Sequence, residues 1–171
     1  MVSTGPYSQS NNFTHMFDFV DLRGNSCREE DSNNNSLMGV INNIPNFSKF
    51  KYIVERARMN TTLSDPKSDF TLFIPLDTYI SGLEIEGMDI SMARNIVRCA
   101  MLDRKITSEL LEDSKAAYFF TKSKPNNLFV NNRNGITYIN GDIEIIHKDI
   151  ITGNGIIHVT DKIISPSYFY D

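Results

Sequence analysis

The chain has no tryptophan, so its large apolar area must come from 11 Phe and 7 Tyr. Cysteine is nearly absent too. Cys27 and Cys99 stand far apart, one in a polar stretch and one in a helical pattern, and that spacing fits neither a disulfide framework nor a zinc site. Two reduced thiols are the expectation. No apolar stretch approaches the roughly 20 residues of a membrane span. Residues Met1 to Ser10 lack the charged start and apolar run of a secretory signal. Basic charge is scarce: 17 Lys and Arg against 21 Asp and Glu leave a net charge of −4, with no basic run longer than two. Nucleic acids and anionic membranes demand a basic face, which argues against either as the main partner.

The constellations that carry chemistry are missing as well. Only His15, His147 and His158 are available. There is no G-x-S-x-G elbow for a serine nucleophile, and the glycines form no phosphate cradle. His147-Lys148-Asp149 offers two metal ligands, but strand alternation would require a third from elsewhere, so His147 is expected to be a solvated loop histidine. His158 lies inside an apolar run and is expected to be a hydrogen-bonded structural side chain. Glu109, Glu112 and Asp113 follow a Thr107 cap, where interaction with a helix start accounts for them. No catalytic, cofactor or metal residue is expected, and the chain is read as a non-enzyme.

A length of 171 residues suits one domain with a tail. Residues 1–36 form the polar N-terminal tail, rich in Ser and Asn. Within it, residues 13–20 carry Phe13, Phe17, Phe19 and Val20, large apolar groups that a free tail does not gain from. Phe17 and Phe19 alternate with Asp18 as on a strand, while Phe13, Phe17 and Val20 also fit helical spacing. Phe13, Phe17 and Phe19 are therefore the candidate partner-binding residues, docking on the domain or on another protein.

The domain is expected over residues 37–171. Leu37, Val40, Ile41 and Ile44 recur at helical spacing up to Pro45. Phe47, Phe50, Ile53, Val54 and Ala57 mark a second helix with Asn46 as its cap. Residues 70–74 form a short strand, and Asp77 caps a brief turn. Met88, Met92, Ile96 and Ala100 make an apolar stripe, which points to core packing. A helical turn is expected at Thr107–Leu111, then strands at 117–121, 128–130, 136–139, 143–147 and 156–164. Asn-Gly dipeptides at Asn134, Asn140 and Asn154 punctuate them. Asn140-Gly141 is the strongest two-residue hairpin signal. In the run Tyr118-Phe119-Phe120, alternation puts Phe119 opposite its neighbours, so at least one aromatic can face outward. Helices first and strands later indicate an α+β domain.

Two segments carry a resemblance. Thr71-Leu72-Phe73-Ile74-Pro75-Leu76-Asp77-Thr78-Tyr79-Ile80 is a strand entering a proline turn, an acidic residue and a short helix. Asn154, Gly155, Ile157, His158, Val159, Asp161, Ile163 and Pro166 form an Asn-Gly, a β-branched pair around His, an Asp, apolar residues and a Pro. Together they closely resemble the paired signature of the fasciclin-like domain family, over residues 37–166. The chain departs from the family at its central Tyr-His pair, replaced here by Cys99-Ala100. The family associates that neighbourhood with adhesion and with domain integrity.

The resemblance implies a compact α+β domain with N-terminal helices packed on a C-terminal β-rich, sandwich-like core. It also implies an adhesion or assembly module. The signature residues Thr71, Phe73, Pro75, Asp77, Asn154, Gly155, His158, Asp161 and Pro166 are expected to be structural: Asn154-Gly155 sets a turn, and Asp77 and Asp161 accept local backbone hydrogen bonds. The partners expected are other proteins in a multi-protein assembly, with glycan or receptor contact left open. Abundant Asn and Ile agree with an AT-rich coding sequence, for which protists and large DNA viruses are candidate sources. A minor structural protein of a large virus particle is therefore the sharpest form of the expectation, intracellular or virion-associated. A cell-surface or secreted adhesion protein is the alternative, and the sequons at Asn12, Asn34, Asn46 and Asn60 would then carry glycans.

Overall fold

The computed structural model describes residues 35–80, 85–113, 116–123 and 127–164. Phe13, Phe17, Phe19, Cys27, Pro166 and the sequons Asn12 and Asn34 lie outside them.

Helix α1 (Leu37–Asn43) buries Leu37, Val40 and Ile41, and the Ser36 side chain accepts from the Gly39 N–H at 3.0 Å. Pro45 ends it by opening a single 3-10 turn over Pro45–Phe47. Helix α2 (Ser48–Arg56) follows and buries Phe50, Ile53 and Val54. Its flanking residue is Phe47, which makes no side-chain cap, and Asn46 lies inside the 3-10 turn. The expected Asn46 cap is therefore replaced by one from a distant residue, described below. After the short α3 (Asn60–Ser64) comes strand β1 (Phe70–Pro75), then a 3-10 turn at Asp77–Tyr79. Helix α4 (Ile90–Cys99) is capped by Asp89, which accepts from the Met92 N–H at 2.7 Å. The stripe expected there packs inward: Met88, Ile96 and Ala100 are buried, and Met92 lies against the core.

Strand β2 (Met101–Leu102) and helix α5 (Ser108–Asp113) lead into β3 (Ala116–Phe120), β4 (Asn127–Arg133), β5 (Ile136–Ile139), β6 (Ile143–Thr152) and β7 (Gly155–Thr160). The strands form one seven-stranded sheet in the order β2-β1-β7-β6-β5-β4-β3. Next to β2, strands β1 and β7 run parallel, from Phe70 opposite Gly155 to Pro75 opposite Thr160. Both are buried along their whole length, as parallel strands covered on two faces are. The edges then meet, because Leu102 bridges Thr121 and the Lys122 N–H donates to the Met101 carbonyl at 3.0 Å. The α+β domain thus has a barrel-like core: a single rolled sheet, with helices α2 and α4 packed together and α1 set against the start of β7.

The Asn-Gly pairs behave in three different ways. Asn134 and Gly135, at φ 55° and 80°, form a two-residue hairpin closed by Arg133 opposite Ile136. Asn140 and Gly141 also have positive φ, but pairing resumes at Ile139 opposite Ile143, so Asp142 joins the loop. The reason lies in β4: Asn140 donates its N–H to the Phe129 carbonyl at 2.7 Å and accepts from the Phe129 N–H at 3.0 Å, which holds it beside β4. At Asn154-Gly155 the expected turn is displaced by one residue. Thr152 pairs with Gly155, so the turn is Gly153-Asn154 and Gly155 already belongs to β7. That last strand also stops at Thr160, short of the expected Ile164, where the Thr160 hydroxyl turns to the Lys162 carbonyl at 2.7 Å.

Candidate interaction surface

The signature side chains act as latches between elements far apart in sequence. Asp77 accepts from the Lys49 N–H at 2.7 Å and from the Ser48 hydroxyl, so its carboxylate caps helix α2. Asp161 accepts from the Glu144 N–H at 2.9 Å while its own N–H donates to the Glu144 carbonyl at 3.0 Å. Both expected local bonds are thus long-range ones. Thr71 is buried within β1, donating to the Arg104 carbonyl and accepting from the Ile106 N–H, each at 2.7 Å. Asn154 accepts from the Leu37 N–H at 2.7 Å and donates to the carbonyls of Leu63 at 3.0 Å and Asp65 at 2.8 Å. One amide thereby ties the starts of α1 and β7 to the end of α3. Beside it, a Cβ on Gly155 would meet the Phe70 carbonyl oxygen at 2.3 Å, so close strand approach, not turn geometry, requires this glycine. Phe73 is fully buried, and Pro75 ends β1.

His158 is the densest of these latches. Its Nε2 lies 2.7 Å from the Ile106 carbonyl and must donate there, while Nδ1 accepts from the Asp149 N–H at 3.1 Å. With one nitrogen donating and the other accepting, the ring is neutral. It packs against Phe73 with centroids 5.5 Å apart. Burial pushes its pKa below the ordinary value, opposed by the bond to Ile106 and the charge of Asp149. Asp149 reaches this position through a bulge in β6, where it sits at φ 62°. Its carboxylate accepts from the Ser108 N–H at 2.8 Å and from the Ser108 hydroxyl, capping α5. Thr107 adds only a long 3.4 Å bond to the Leu110 N–H. Lys148, also in the bulge, pairs with Glu112. His147 is a half-buried residue of β6 opposite Val159, not a loop residue. Among the described residues, no group of three His, Cys, Asp or Glu could hold a metal ion.

Cys99 and Ala100 end helix α4, both buried, and the Ala100 carbonyl accepts from the Phe73 N–H at 2.9 Å. The pair fills the core, as expected for a small substitute of the family's Tyr-His. Burial pushes the Cys99 thiol up, partly offset by a hydrogen bond with Ser123. A protonated, enclosed thiol is a poor nucleophile and metal ligand.

The exposed chemistry lies elsewhere, on strand β3. Alternation turns Phe119 inward to pack partly on the core, with the Arg104 guanidinium 6.0 Å from its ring centroid. Tyr118 and Phe120 face outward, 69% and 72% exposed. Tyr118 leans on Phe129 with ring centroids 5.0 Å apart. One side of β3 pairs with β4 from Ala116 to Phe120. On the other side, the described pairing is confined to the bridge at Thr121. A cleft of about 410 Å³ opens there, lined by Leu102, Asp103, Arg104, Tyr118, Phe119 and Phe120. A strand edge that the described residues leave uncovered, next to two exposed aromatic rings, has the form of a template for another peptide segment.

Among the described residues, a barrel-like sheet is latched to its helices and two aromatic side chains stand exposed on β3. The chain belongs to the fasciclin domain family, whose model matches residues 45–166. It is 26% identical to human periostin over 134 residues, which is 71% of this chain and 15% of that protein. It is 25% identical to rat stabilin-2 over 138 residues, 77% of this chain and 9% of that one. The chain thus spans only a small part of the relatives' length. A FAS1 domain pair from the insect cell adhesion molecule fasciclin I shares the fold, with a TM-score of 0.62 at 18% identity over 78% of this chain and 51% of that one. Fasciclin domains are adhesion or protein-interaction modules, and that coarse function holds for this chain. No helix among the described residues is long and apolar enough to cross a membrane.

Proposed function

We propose that this chain is a non-enzymatic interaction module acting as a structural component of a larger protein assembly, and that the outward face of β3 is its contact surface. The supporting observation is the exposed pair Tyr118 and Phe120 on an open sheet edge. Covering two such rings on a partner releases about 1.5–3 kcal/mol each, enough to make them anchors of an interface. In its sharpest form the assembly is a virus particle, with partners that are proteins and not nucleic acid. Fractionation of native source material by size, following peptides of this chain, tests this. It should travel with a large particle, and the double variant Y118S/F120S should be depleted from that particle at least tenfold. Migration of the native protein as a lone monomer would sink the assembly reading.

Cell-surface or secreted adhesion is the second reading, favoured by the named likeness to a cell adhesion molecule. Of its sequons, Asn46 is exposed and Asn60 half-buried at the start of α3. Glycan mass on either residue in native protein would decide for this reading, and bare asparagine at both would count against it.

A further inference from the structure

The cleft beside β3 has a candidate occupant within the chain itself. We propose that residues Phe13–Val20 dock there as an added strand along the open edge of β3. The inference rests on the reading of β3 as the interaction surface: the segment covers that surface in the free chain, and a partner takes its place in the assembly.

Three observations carry it. The first is reach. The Asn35 carbonyl accepts from the Gly153 N–H at 2.6 Å, which fixes the first described residue beside the start of β7. From β7 the strands β1, β2 and β3 follow in turn around the closed sheet, a lateral distance of about 14 Å at ordinary strand spacing. Residues 21–34 connect Val20 to that anchor, and fourteen residues of coil have a root-mean-square span of about 20 Å. A linker whose natural span is close to the distance required gives nearly the highest effective concentration of segment at site.

The second is pattern. On a strand, Phe17 and Phe19 share one face and Asp18 takes the other. Strand β3 has the same arrangement: Tyr118 and Phe120 on one face, Phe119 with Arg104 on the other. Laid edge to edge, the phenylalanines meet the exposed rings, and Asp18 falls on the face of Arg104. The third is charge. Residues 13–21 carry Asp18 and Asp21 with no Lys or Arg. On the rim of the cleft Asp103 is already paired with Lys122 at 3.3 Å, which leaves the guanidinium of Arg104, stacked over Phe119, as the cation facing an acidic segment.

The test uses the full chain with benzoylphenylalanine at position 17, irradiated at low micromolar concentration and mapped by peptide mass. Cross-links within one chain to residues 102–104 or 116–120 are expected. In parallel, hydrogen exchange at amides 116–120 should quicken at least tenfold in the F17S/F19S chain. Cross-links joining two copies would overturn the proposal in favour of a second copy at the edge, leaving the interaction surface standing. Cross-links to another part of the domain, or unchanged exchange at β3, would overturn it outright. A Y118S/F120S chain that still enters its particle, while the chain with both rings in place cross-links from position 17 to the cleft, would sink the interaction reading and spare this one.

Discussion

Gly155 and His158 show most sharply how single residues set this fold. Since a Cβ at position 155 would lie 2.3 Å from a backbone carbonyl, no side-chain rotation relieves the contact. Gly155→Ala should therefore lower stability by about 3 kcal/mol, read as a reduced urea midpoint at constant m. His158 makes stability depend on pH. The folded ring is held neutral with its pKa lowered, whereas in the unfolded chain it takes a proton near pH 6.5. Its contribution is complete above that pH and is lost as the pH falls toward the depressed folded value, at up to about 1.4 kcal/mol per unit. Between pH 7.5 and 5 the stability of the native chain should drop more steeply than that of His158→Gln, which keeps a donor and an acceptor but does not titrate. Equal slopes would remove the histidine from the account. The buried, hydrogen-bonded state of His158 was legible from its place in an apolar run. Its partners, Ile106 and Asp149, were not, because they lie 52 and 9 residues away in sequence and meet it only across the closed sheet.

Among the elements, α2 and α5 share an unusual dependence: each is capped by an aspartate from another part of the chain. Asp77→Ala should cost about 1–2 kcal/mol, the range of a lost helix cap, with easier opening of the first turn of α2 visible as increased exchange at the Lys49 amide. Intrinsic sequence signals placed both helices, and Asn46 looked like the natural cap of α2. The proline turn at Pro45–Phe47 draws Asn46 into its own 3-10 geometry, so the cap passed to a carboxylate beyond β1. Strand limits failed in the same way. The run from Ile156 to Ile164 is rich in β-branched residues, yet β7 ends at Thr160, just before Asp161 and its mutual bonds with Glu144. Where a turn was purely local, as at Asn134-Gly135, the sequence located it to the residue, because both positive φ values belong to the dipeptide itself.

At the scale of the molecule, the core that holds the fold and the proposed contact face of β3 lie on different surfaces. Tyr118 and Phe120 are mostly exposed, so Y118S/F120S should lower the unfolding free energy by only about 1–2 kcal/mol, the worth of the Tyr118–Phe129 pair and of two strand aromatics, while association falls at least tenfold. Parallel loss of both would mean that the rings serve the fold. Cys99 reports the opposite compartment. In a Cys27→Ser chain, its buried, protonated thiol should react with a disulfide reagent only as fast as the domain opens, with the rate following denaturant-induced unfolding. Rapid labelling in native buffer would contradict its burial.

The family was legible as a resemblance in the two segments 71–80 and 154–166; beyond it, the sequence alone determined the α+β class, the helical stripes and the outward turn of part of the aromatic run at 118–120. Those features depend on side-chain periodicity and on the φ preferences of neighbouring residues, both written along the chain. Tertiary structure decided the closure of the sheet between Leu102 and Thr121, the distant caps from Asp77 and Asp149, the reason for Gly155, and the cleft beside β3. Each of these joins atoms from segments separated in sequence, and only the packed chain brings them within hydrogen-bonding or contact distance.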